Sequence, residues 1–446
     1  MLRKILATAC VMMFLTAGSA QANPDRAFIH STAFGEPADL LDMEIYRIMR
    51  ENDTAGMMIN VMRNGKLIHS KGYGYADLLL KKKIGEDTIY RVASITKTLS
   101  AIAVMQLQEQ GKIDINADVS QYVGFTVRNP HFPDVPITLA QIMTHTAGFK
   151  DYYYIYAKEA YVDFEFERSI KELHAKGGRF NDKDKLYKSD FAPGDPRGFL
   201  YSNATGFLLV AAVEKVSGQR FDIYCNEHIF KPLKMTHTSF NIEDLEGARD
   251  DFGMIYRYSA AVKPSRKVYV AEYGFNDVQN LVDQKKKPFN MKKYKLGESL
   301  GIWSPQGGLR SSVNDLTRFM MMMNRGELDG ARILKESTVL EMEKVRWEGN
   351  APSDAYVQGF YRKKGLQLHI MENEPYAGRT MYGHAGDAYG LFAGVYYDPT
   401  DKTGYVTILS GHREYNDPLA YKGVWSSIEG DVHKVLDKAF GLSRKK

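Results

Sequence analysis

Residues 92–111, VASITKTLSAIAVMQLQEQG, carry the pattern from which the fold of this chain is inferred. Its apolar side chains are spaced to form one buried face of a helix: Ile95, Leu99, Ile102 and Leu107. We therefore predict a helix over residues 94–110, and Gly111 stands where a C-terminal cap is expected. A strand-like segment precedes the helix, so the chain turns from strand to helix at Ser94.

Antiparallel strands are predicted on the N-terminal side of this helix. Residues 57–62 are apolar and strand-like, Asn64 and Gly65 form the strongest short signal for a hairpin turn, and residues 67–75 run back. A further helix is predicted over about residues 40–49.

From about residue 112 to 345 the pattern is mostly helical with long loops, and after that it is strand-like again. The helices predicted in the middle cover residues 139–143, 205–216 and 316–324. The later strands cover residues 356–362, 366–371, 391–397 and 405–410, and a last amphipathic helix covers about residues 430–440.

Strands at both ends around a helical middle predict an α/β fold of the α+β type. One antiparallel sheet is formed by both chain ends and flanked by helices, with an inserted all-α domain. The α/β part is expected at about residues 23–111 and 346–446, and the helical part at about residues 112–345. No linker-like or low-complexity tract divides the chain, which favours one functional unit.

Residues 1–22 have the pattern of a secretory signal peptide: a basic start, an apolar run and a small-x-small cleavage site. The run is too short to span a bilayer, and no later segment has about 18 unbroken apolar residues. We therefore expect a mature chain that starts near Asn23, is exported across the inner membrane to the periplasm and has no membrane span. Its single cysteine, Cys225, excludes an intrachain disulfide. A retained amphipathic anchor is the alternative.

The composition is that of an ordinary globular protein. The 446 residues are 44% hydrophobic and 25% charged, with a net charge of +5 that falls by two, to +3, when Arg3 and Lys4 are removed. No nucleic-acid-binding module is recognisable. The lysines at 285–287 and the nearby 292, 293 and 295 are interpreted as a solvated loop, with attraction of an anionic polymer as the alternative.

Ser94 and Lys97 are the first candidate pair for chemistry. Residues three apart lie on one helix face, so the Lys97 amine can reach the Ser94 hydroxyl. Burial favours the neutral form of a lysine, and a neutral lysine can activate a serine. The positive end of the helix would stabilise an oxyanion there. The same spacing recurs at residues 443–446, in a charged tail where no pocket is expected.

Tyr201 and Asn203 precede the predicted helix at 205–216 and are the second candidate pair. A tyrosine held near a lysine ammonium can serve as a base and then as an acid. Asn203 could orient Lys97 and hold a substrate carbonyl. The same Tyr-x-Asn pattern at residues 224–226 lies in an amphipathic helical stretch and is interpreted as structural.

His384, Gly386 and Asp387 lead into a strand and form the third candidate group. His384 would face the site from the sheet edge, and Gly386 would let a substrate approach the backbone closely. The N–H groups of Asp387 and Ser94 would form an oxyanion hole. A Lys-Thr-Gly tripeptide at residues 402–404 follows turn residues 398–401, so we place it in a hairpin away from the site.

In this order the three groups resemble the serine β-lactamase and penicillin-binding-protein family, which includes class C β-lactamases, D,D-carboxypeptidases and lactamase-like esterases. Supporting segments stand at residues 144–148 (THTAG), 232–235 (PLKM) and 307–312 (GGLRSS). The resemblance covers about residues 40–440. It implies a β-lactamase-like fold, a hydrolase domain over residues 23–446, and an acyl-enzyme on Ser94 formed without a metal or organic cofactor.

Three classes of hydrolase, each with its own substrate, are candidates for this chain. His384 stands where true β-lactamases have a lysine, and histidine is mostly neutral near its unperturbed pKa of about 6.5. A weaker carboxylate anchor argues against an efficient β-lactamase, which is the third candidate. The resemblance of His384 to D,D-peptidases, together with export, favours D,D-peptidase or D-amino-acid chemistry on a small-molecule or peptidoglycan-type substrate. A carboxylesterase is second, supported by the aromatic segment at residues 151–166 and by Asp387. A non-catalytic penicillin-recognising sensor or scaffold is the alternative of another class. The Asp387 carboxylate would disfavour an anionic substrate unless it points away.

The segment at residues 151–166 is unusually aromatic. In the family that it resembles, this segment borders the site, so its rings could wall an acyl or sugar pocket. Packing within the helical domain is the equally weighted alternative.

Overall fold

The computed structural model describes residues 38–150, 170–178, 183–259, 268–273, 291–299, 303–349, 362–388, 390–411, 421–422 and 425–444. The signal peptide at 1–22, the aromatic segment at 151–166, the lysines at 285–287 and the strand predicted from 356, except for its last residue, lie outside the described residues. Within those ranges, none of the helices combines the length and the apolar character needed to cross a membrane.

Strand-rich ends enclose a helical middle. The helices are α1 (Leu40–Glu51), α2 (Thr96–Glu109), α3 (Ser120–Val123), α4 (Leu139–Met143), α5 (Ile170–His174), α6 (Lys183–Leu186), α7 (Gly206–Ser217), α8 (Phe221–Cys225), α9 (Val313–Met323), α10 (Glu336–Glu343) and α11 (Ser427–Phe440). The strands are β1 (Gly56–Arg63), β2 (Lys66–Asp77), β3 (Lys82–Lys83), β4 (Ile89–Arg91), β5 (Ile255–Ser259), β6 (Val268–Tyr273), β7 (Arg310–Ser312), β8 (Glu327–Leu328), β9 (Ala331–Arg332), β10 (Trp347–Glu348), β11 (Lys363–Lys364), β12 (His369–Glu372), β13 (Thr380–Ala388), β14 (Leu391–Asp398), β15 (Thr403–Ser410), β16 (Tyr421–Lys422) and β17 (Trp425–Ser426).

The N-terminal hairpin forms because its turn residues accept the required backbone conformation. Asn64 and Gly65 have φ angles of 52° and 73°, and a two-residue turn that matches the twist of its strands needs positive φ at both positions. Strand β1 precedes this turn and β2 follows it, and the two pair antiparallel as predicted.

The central sheet is built from both ends of the chain. Among the described residues it has nine strands in the order β10-β11-β12-β13-β14-β15-β1-β2-β3. The C-terminal strand β15 pairs antiparallel with β1, which joins the two chain ends. This confirms the predicted α/β class and the antiparallel sheet made by the two termini.

Helices cover both faces of this sheet. On one face α1 and α11 pack together over a cluster that includes Met57, Tyr73 and Phe392. On the other face α9 contacts β1, β14 and β15, and the larger core there extends through α2 and α7. Because β1, β14 and β15 are covered on both faces, they are buried at nearly every position.

The described middle of the chain is mainly helical, from α3 to α10, and it also holds the short pairs β5–β6 and β8–β9. It is tied to the N-terminal part by the antiparallel pair of β4 with β7. Since β4 directly precedes the turn that carries Ser94, this pair fixes where the candidate site begins.

One predicted strand is shorter than expected. The apolar pattern at residues 366–371 predicted a strand, whereas β12 starts at His369 and residues 366–368 form the turn after β11. Leu366 and Leu368 are buried although they lie in a turn. Their burial arises because this turn packs against helices, which local alternation of apolar residues does not reveal.

Candidate active site

Ser94 lies at the junction of β4 and α2, in a 3-10 turn, Ala93–Ile95, that continues into α2. Ala93 has a φ of 48°, a conformation that residues with a side chain rarely adopt. The Thr96 hydroxyl holds the turn: it donates to the Ala93 carbonyl at 2.6 Å and accepts from the Leu309 N–H at 3.2 Å. Ser94 is therefore held, half-buried, in the first turn of the helix, where backbone N–H groups create positive potential.

Lys97 is 1% exposed and meets three oxygens. Its Nζ lies 3.0 Å from Ser94 Oγ, 2.7 Å from Asn203 Oδ1 and 2.7 Å from the Gln306 carbonyl oxygen. The two carbonyl oxygens accept only, so each takes an N–H from Lys97. The remaining contact of Lys97 Nζ is with Ser94 Oγ. In the charged amine an N–H points toward Ser94, and in the neutral amine the lone pair does.

Tyr201 lies near both Lys97 and His145. Its ring centre is 4.9 Å from Lys97 Nζ and 4.5 Å from the His145 ring. The His145 segment holds the chain around Tyr201, because the Ser202 N–H donates to His145 Nδ1 and the Leu200 N–H donates to the His145 carbonyl. Burial lowers the pKa of His145 well below its usual range, and the neutral ring can accept this bond at Nδ1.

The carbonyl of Gln306 belongs to a loop that the sequence did not single out as part of the site. Arg91 holds this loop in place: its Nε donates to the Gly307 carbonyl at 2.7 Å, and its Nη2 donates to Ser304 Oγ at 3.0 Å. Gln306 contacts Lys97 through its backbone carbonyl, so its residue type could not have indicated a role in the site. The adjacent Gly307-Gly308 pair was the one indication, and Gly307 does lie against Ala93.

His384 is buried in β13 near the other site residues. Its ring centre is 6.4 Å from that of Tyr201, and its Nδ1 lies 2.6 Å from the Ala385 carbonyl oxygen, to which it donates. Burial, with the nearby charges of Lys364 and Lys97, lowers the pKa of His384 well below its usual range. The residue therefore presents a neutral imidazole to the site.

Gly386 lets β13 approach the Ser94 turn closely. A Cβ at this position would stand 2.3 Å from the Val92 carbonyl oxygen and 3.4 Å from the Ala93 Cβ. Only a residue without a side chain fits this gap, so Gly386 allows β13 to lie close to the residues just before Ser94. The close approach of a substrate at Gly386 stays a prediction.

Asp387 and Gly386 direct their substituents to opposite faces of β13, because successive residues of a strand alternate. Asp387 pairs in register with Phe392, and its second neighbour Ala385 packs on the cluster beneath α1 and α11. The Asp387 carboxylate thus points away from the face that meets Ser94, while its backbone stays beside the site.

Two further titratable residues lie behind the site and were missed. Lys364 in β11 is 0% exposed and is the register partner of His369 in β12. The His369 ring centre is 4.1 Å from that of His384. Neither residue belongs to one of the motifs, and no local pattern marked them.

The repeated motifs lie apart from this cluster. Ser443 Oγ donates to Asp437 Oδ2 at 2.6 Å, which occupies the hydroxyl in a structural bond. Lys402 is exposed in the turn between β14 and β15, as predicted. Tyr224 is buried in α8, and burial raises the pKa of the neighbouring Cys225 thiol well above its usual range. None of these three side chains takes part in the cluster around Ser94.

Known proteins resemble this chain in sequence and in fold. The chain is 30% identical over 216 residues to protein flp of Staphylococcus aureus (strain MRSA252), which covers 48% of this chain and 40% of that protein. The chain thus spans about two fifths of the length of this relative.

Solved structures with the same fold include the octameric penicillin-binding protein homologue from Pyrococcus abyssi (TM-score 0.64, 24% identity, 90% of this chain and 77% of that one). EstCE1, a hydrolase with promiscuous acyltransferase activity, matches with a TM-score of 0.62 at 18% identity, over 89% of this chain and 98% of that one. The D-amino acid amidase from Ochrobactrum anthropi SV3 matches with a TM-score of 0.60 at 18% identity, over 90% and 99%.

The family itself is identified by sequence. The Beta-lactamase family matches residues 41–422, well over half of the chain and a span that includes every candidate site residue from Ser94 to Asp387. The solved structures named above share the fold of this chain. This chain belongs to the Beta-lactamase family of serine hydrolases.

Proposed function

We propose that the protein is a serine hydrolase that works through an acyl-enzyme on Ser94. The observation that carries this is the three-way contact of Lys97. Because Asn203 and Gln306 take its two N–H groups, the lone pair of a neutral Lys97 is aimed at the Ser94 hydroxyl. Lys97 then accepts the Ser94 proton as Ser94 Oγ attacks the substrate carbonyl.

The remaining roles follow from position. Tyr201, beside Lys97, protonates the leaving group, and water then releases the acyl group from Ser94. The N–H groups of Ser94 and Asp387 receive the oxyanion, since the first turn of the helix and the edge of β13 meet there. The side chain of Asp387 lies on the other strand face and does not repel the developing charge.

For the substrate we propose D,D-peptidase or D-amino-acid amide chemistry on a peptidoglycan-type or small-molecule substrate. The signal-peptide pattern at residues 1–22 supports export to the periplasm, where such substrates occur. The histidine at position 384 supports it as well, because within the family such a histidine resembles D,D-peptidases and D-amino-acid peptidases more than true β-lactamases. The named D-amino acid amidase and penicillin-binding protein homologue share the fold.

A carboxylester substrate is the second candidate, and the state of His384 favours it. A neutral, buried imidazole gives a carboxylate no full positive charge, whereas an ester needs none. EstCE1 shows that a hydrolase with acyltransferase activity shares the fold. A β-lactamase is the third candidate, because its substrates carry a carboxylate, and binding that carboxylate favours a fixed positive charge in the site.

The intact mass of the protein after brief exposure to a penicillin separates these candidates. With D,D-peptidase chemistry we expect a persistent adduct of one penicillin, absent from Ser94→Ala, because such sites acylate readily and deacylate slowly. Intact penicillin without an adduct, together with turnover of a short-chain ester, would favour the esterase. The absence of all three results, namely an adduct, ester turnover and D-amino-acid amide turnover, would contradict the hydrolase proposal. The scaffold alternative would then remain.

Gly386→Ala should lower kcat/KM for an ester or amide substrate by about 10- to 100-fold. The added methyl group meets the Val92 carbonyl and pushes β13 from the Ser94 turn, and a displacement of about 1 Å can cost about 100-fold. Gly430→Ala is the control, since nothing lies within 4 Å of a Cβ there. Unchanged kcat/KM in Gly386→Ala would show that the close approach is dispensable.

A further inference from the structure

Helix α7 touches both chain segments that supply the oxygen acceptors of Lys97. Asn203 stands three residues before Gly206, the first residue of the helix. A Cβ on Gly206 would lie 3.6 Å from the backbone N and Cα of Gln306. The start of α7 therefore packs directly on the loop that carries the Gln306 carbonyl. Since Lys97 meets an oxygen of each segment at 2.7 Å, the seating of this loop on α7 sets where the two acceptors stand.

Glu214, near the other end of α7, is a buried carboxyl group with three hydrogen-bond donors around it. It accepts from the Phe221 N–H at 2.8 Å, the Gly297 N–H at 2.7 Å and the Tyr294 hydroxyl at 2.5 Å. Two of these donors belong to residues 291–299, which precede the Gln306 loop in the chain. Burial raises the pKa of Glu214 to about 7, so at pH 8 the ionised form, which only accepts hydrogen bonds, predominates.

Trp303 continues this connection toward the site. Its Nε1 donates to the Tyr294 hydroxyl oxygen at 2.7 Å, and the same hydroxyl donates to Glu214. Ser304 follows Trp303 with a φ of 45°, and the tight turn after it leads to Gln306. Trp303 itself is buried. The loop that presents a carbonyl to Lys97 thus begins at the residue that is held through Tyr294.

Arg220 supports the two aromatic rings from a second side. Its guanidinium carbon lies 5.9 Å from the Tyr294 ring centre and 5.3 Å from the Trp303 ring centre, which is within the range of cation–π attraction. Its charge is paired with Asp222 at 2.6 Å. Both rings are therefore fixed in orientation, so a hydrogen bond to Tyr294 can determine where Trp303 lies.

We propose that Glu214 is a positioning residue that acts on Lys97 through the Gln306 carbonyl. Its hydrogen bond from Tyr294, which in turn accepts from Trp303, holds the start of the loop against α7. Two fixed acceptors on the Lys97 amine leave its lone pair aimed at Ser94, and a shift of one acceptor turns the lone pair away. The inference rests on the proposed function, in which Lys97 accepts the Ser94 proton, and Glu214 itself takes no part in the proton transfer.

Glu214→Gln should lower kcat at pH 8 by about 10- to 100-fold, because a displacement of about 1 Å in a catalytic group can cost about 100-fold. A glutamine has one accepting oxygen, so in either amide orientation the Phe221 or the Gly297 N–H faces an amide nitrogen, and the loop must shift. KM should stay within about twofold, since the substrate is not contacted. The measurement is kcat and KM for a Ser94-dependent ester or amide substrate, well below the melting temperature.

Tyr294→Phe tests the connection itself, because it removes only the hydroxyl and keeps the ring. We expect kcat to fall by about tenfold, and the Glu214→Gln/Tyr294→Phe double variant should fall at most about twofold below Glu214→Gln alone. Residues of one hydrogen-bond network are not additive, whereas independent sites are. If Glu214→Gln does not fold, Tyr294→Phe carries the test, because it leaves the carboxyl group and both backbone bonds in place.

The indole N–H of Trp303 gives a readout that does not depend on turnover. Nitrogen-15 labelling of tryptophan gives one indole signal for each of the three tryptophans of the chain, and Trp303→Phe identifies the one that belongs to Trp303. This signal should move in Tyr294→Phe, which removes its acceptor, and also in Glu214→Gln, which releases that acceptor. The Trp347 signal should stay, since its N–H donates to the Pro196 carbonyl elsewhere.

Tyr376→Phe is the matched control for the loss of a buried tyrosine hydroxyl. Its hydroxyl lies 3.1 Å from His433 Nδ1, in the cluster beneath α1 and α11 on the other face of the sheet. This variant should lose a comparable amount of melting temperature and keep kcat within about twofold. An equal loss of kcat in Tyr376→Phe would mean that general destabilisation explains the Tyr294 result, and it would overturn the inference.

Unchanged kcat in both Glu214→Gln and Tyr294→Phe, with normal turnover of the unmodified protein, would overturn this inference and leave the proposed function standing. A Trp303 signal that moves while kcat stays constant would assign Glu214 a structural role only. A signal that stays in place in Glu214→Gln would show that Glu214 does not act through Trp303. Absence of any Ser94-dependent turnover in the unmodified protein would overturn the proposed function as well, so the two failures are distinguishable.

Discussion

Ser94→Ala is expected to lower kcat for a short-chain ester or D-amino-acid amide by at least about 10⁴-fold. Alanine cannot form the acyl-enzyme, and loss of a serine nucleophile in such enzymes costs on the order of 10⁶-fold. What remains comes from binding and from the N–H groups near the oxyanion. The measurement is kcat and KM for one substrate, together with the intact mass after penicillin exposure.

Ser443→Ala is the matched control, because residues 443–446 repeat the Ser-x-x-Lys spacing away from the site. It should retain kcat within about twofold, with at most a small loss of stability from the bond to Asp437. If Ser94→Ala keeps more than about a tenth of the activity, or if Ser443→Ala abolishes it, Ser94 is not the nucleophile.

Lys97→Met is expected to lower kcat by at least about 10³-fold with little change in KM. The variant removes the amine that accepts the Ser94 proton, and general base catalysis of this kind contributes about 10²- to 10⁴-fold. Loss of the amine also leaves the Asn203 and Gln306 oxygens without their donor, which disorders the site further. Single-turnover acylation rates measure the effect directly.

Lys97→Arg sharpens this test, because a guanidinium stays charged and cannot accept a proton. It should therefore be as inactive as Lys97→Met although the positive charge remains. Lys402→Met is the control: it alters the exposed Lys-Thr-Gly repeat in the β14–β15 turn and should keep full activity. Substantial turnover by Lys97→Arg would mean that Lys97 acts by charge, with Tyr201 as the base.

Local patterns were sufficient for the elements on which the motifs stand. The α2 helix was predictable because its apolar residues repeat along one face, and the β1–β2 hairpin because Asn64-Gly65 permits one turn geometry. The contact of Lys97 with Ser94 was predictable as well, since it depends only on the helical spacing of three residues. Each of these features depends only on residues that are close together in the sequence.

Other parts of the site depend on residues that meet only in the folded chain. Gln306 is 209 residues from Lys97, and it contributes a backbone oxygen that any residue would have. Lys364 and His369 reach the site because strand register pairs them and because their turn packs on Thr98 and Met143. No short segment of sequence encodes such packing.

The family resemblance, the order of the three motifs and the type of fold could all be inferred from the amino-acid sequence, because each rests on local spacing or on chain order. The charge states of the site residues and the directions of their side chains could be read only from the folded chain. Burial makes the imidazole of His384 neutral, strand alternation turns the Asp387 carboxylate away, and the pairing of β12 with β13 brings His369 beside His384. Desolvation and distance are properties of the folded neighbourhood, and they set the charge that each of these groups presents to a substrate.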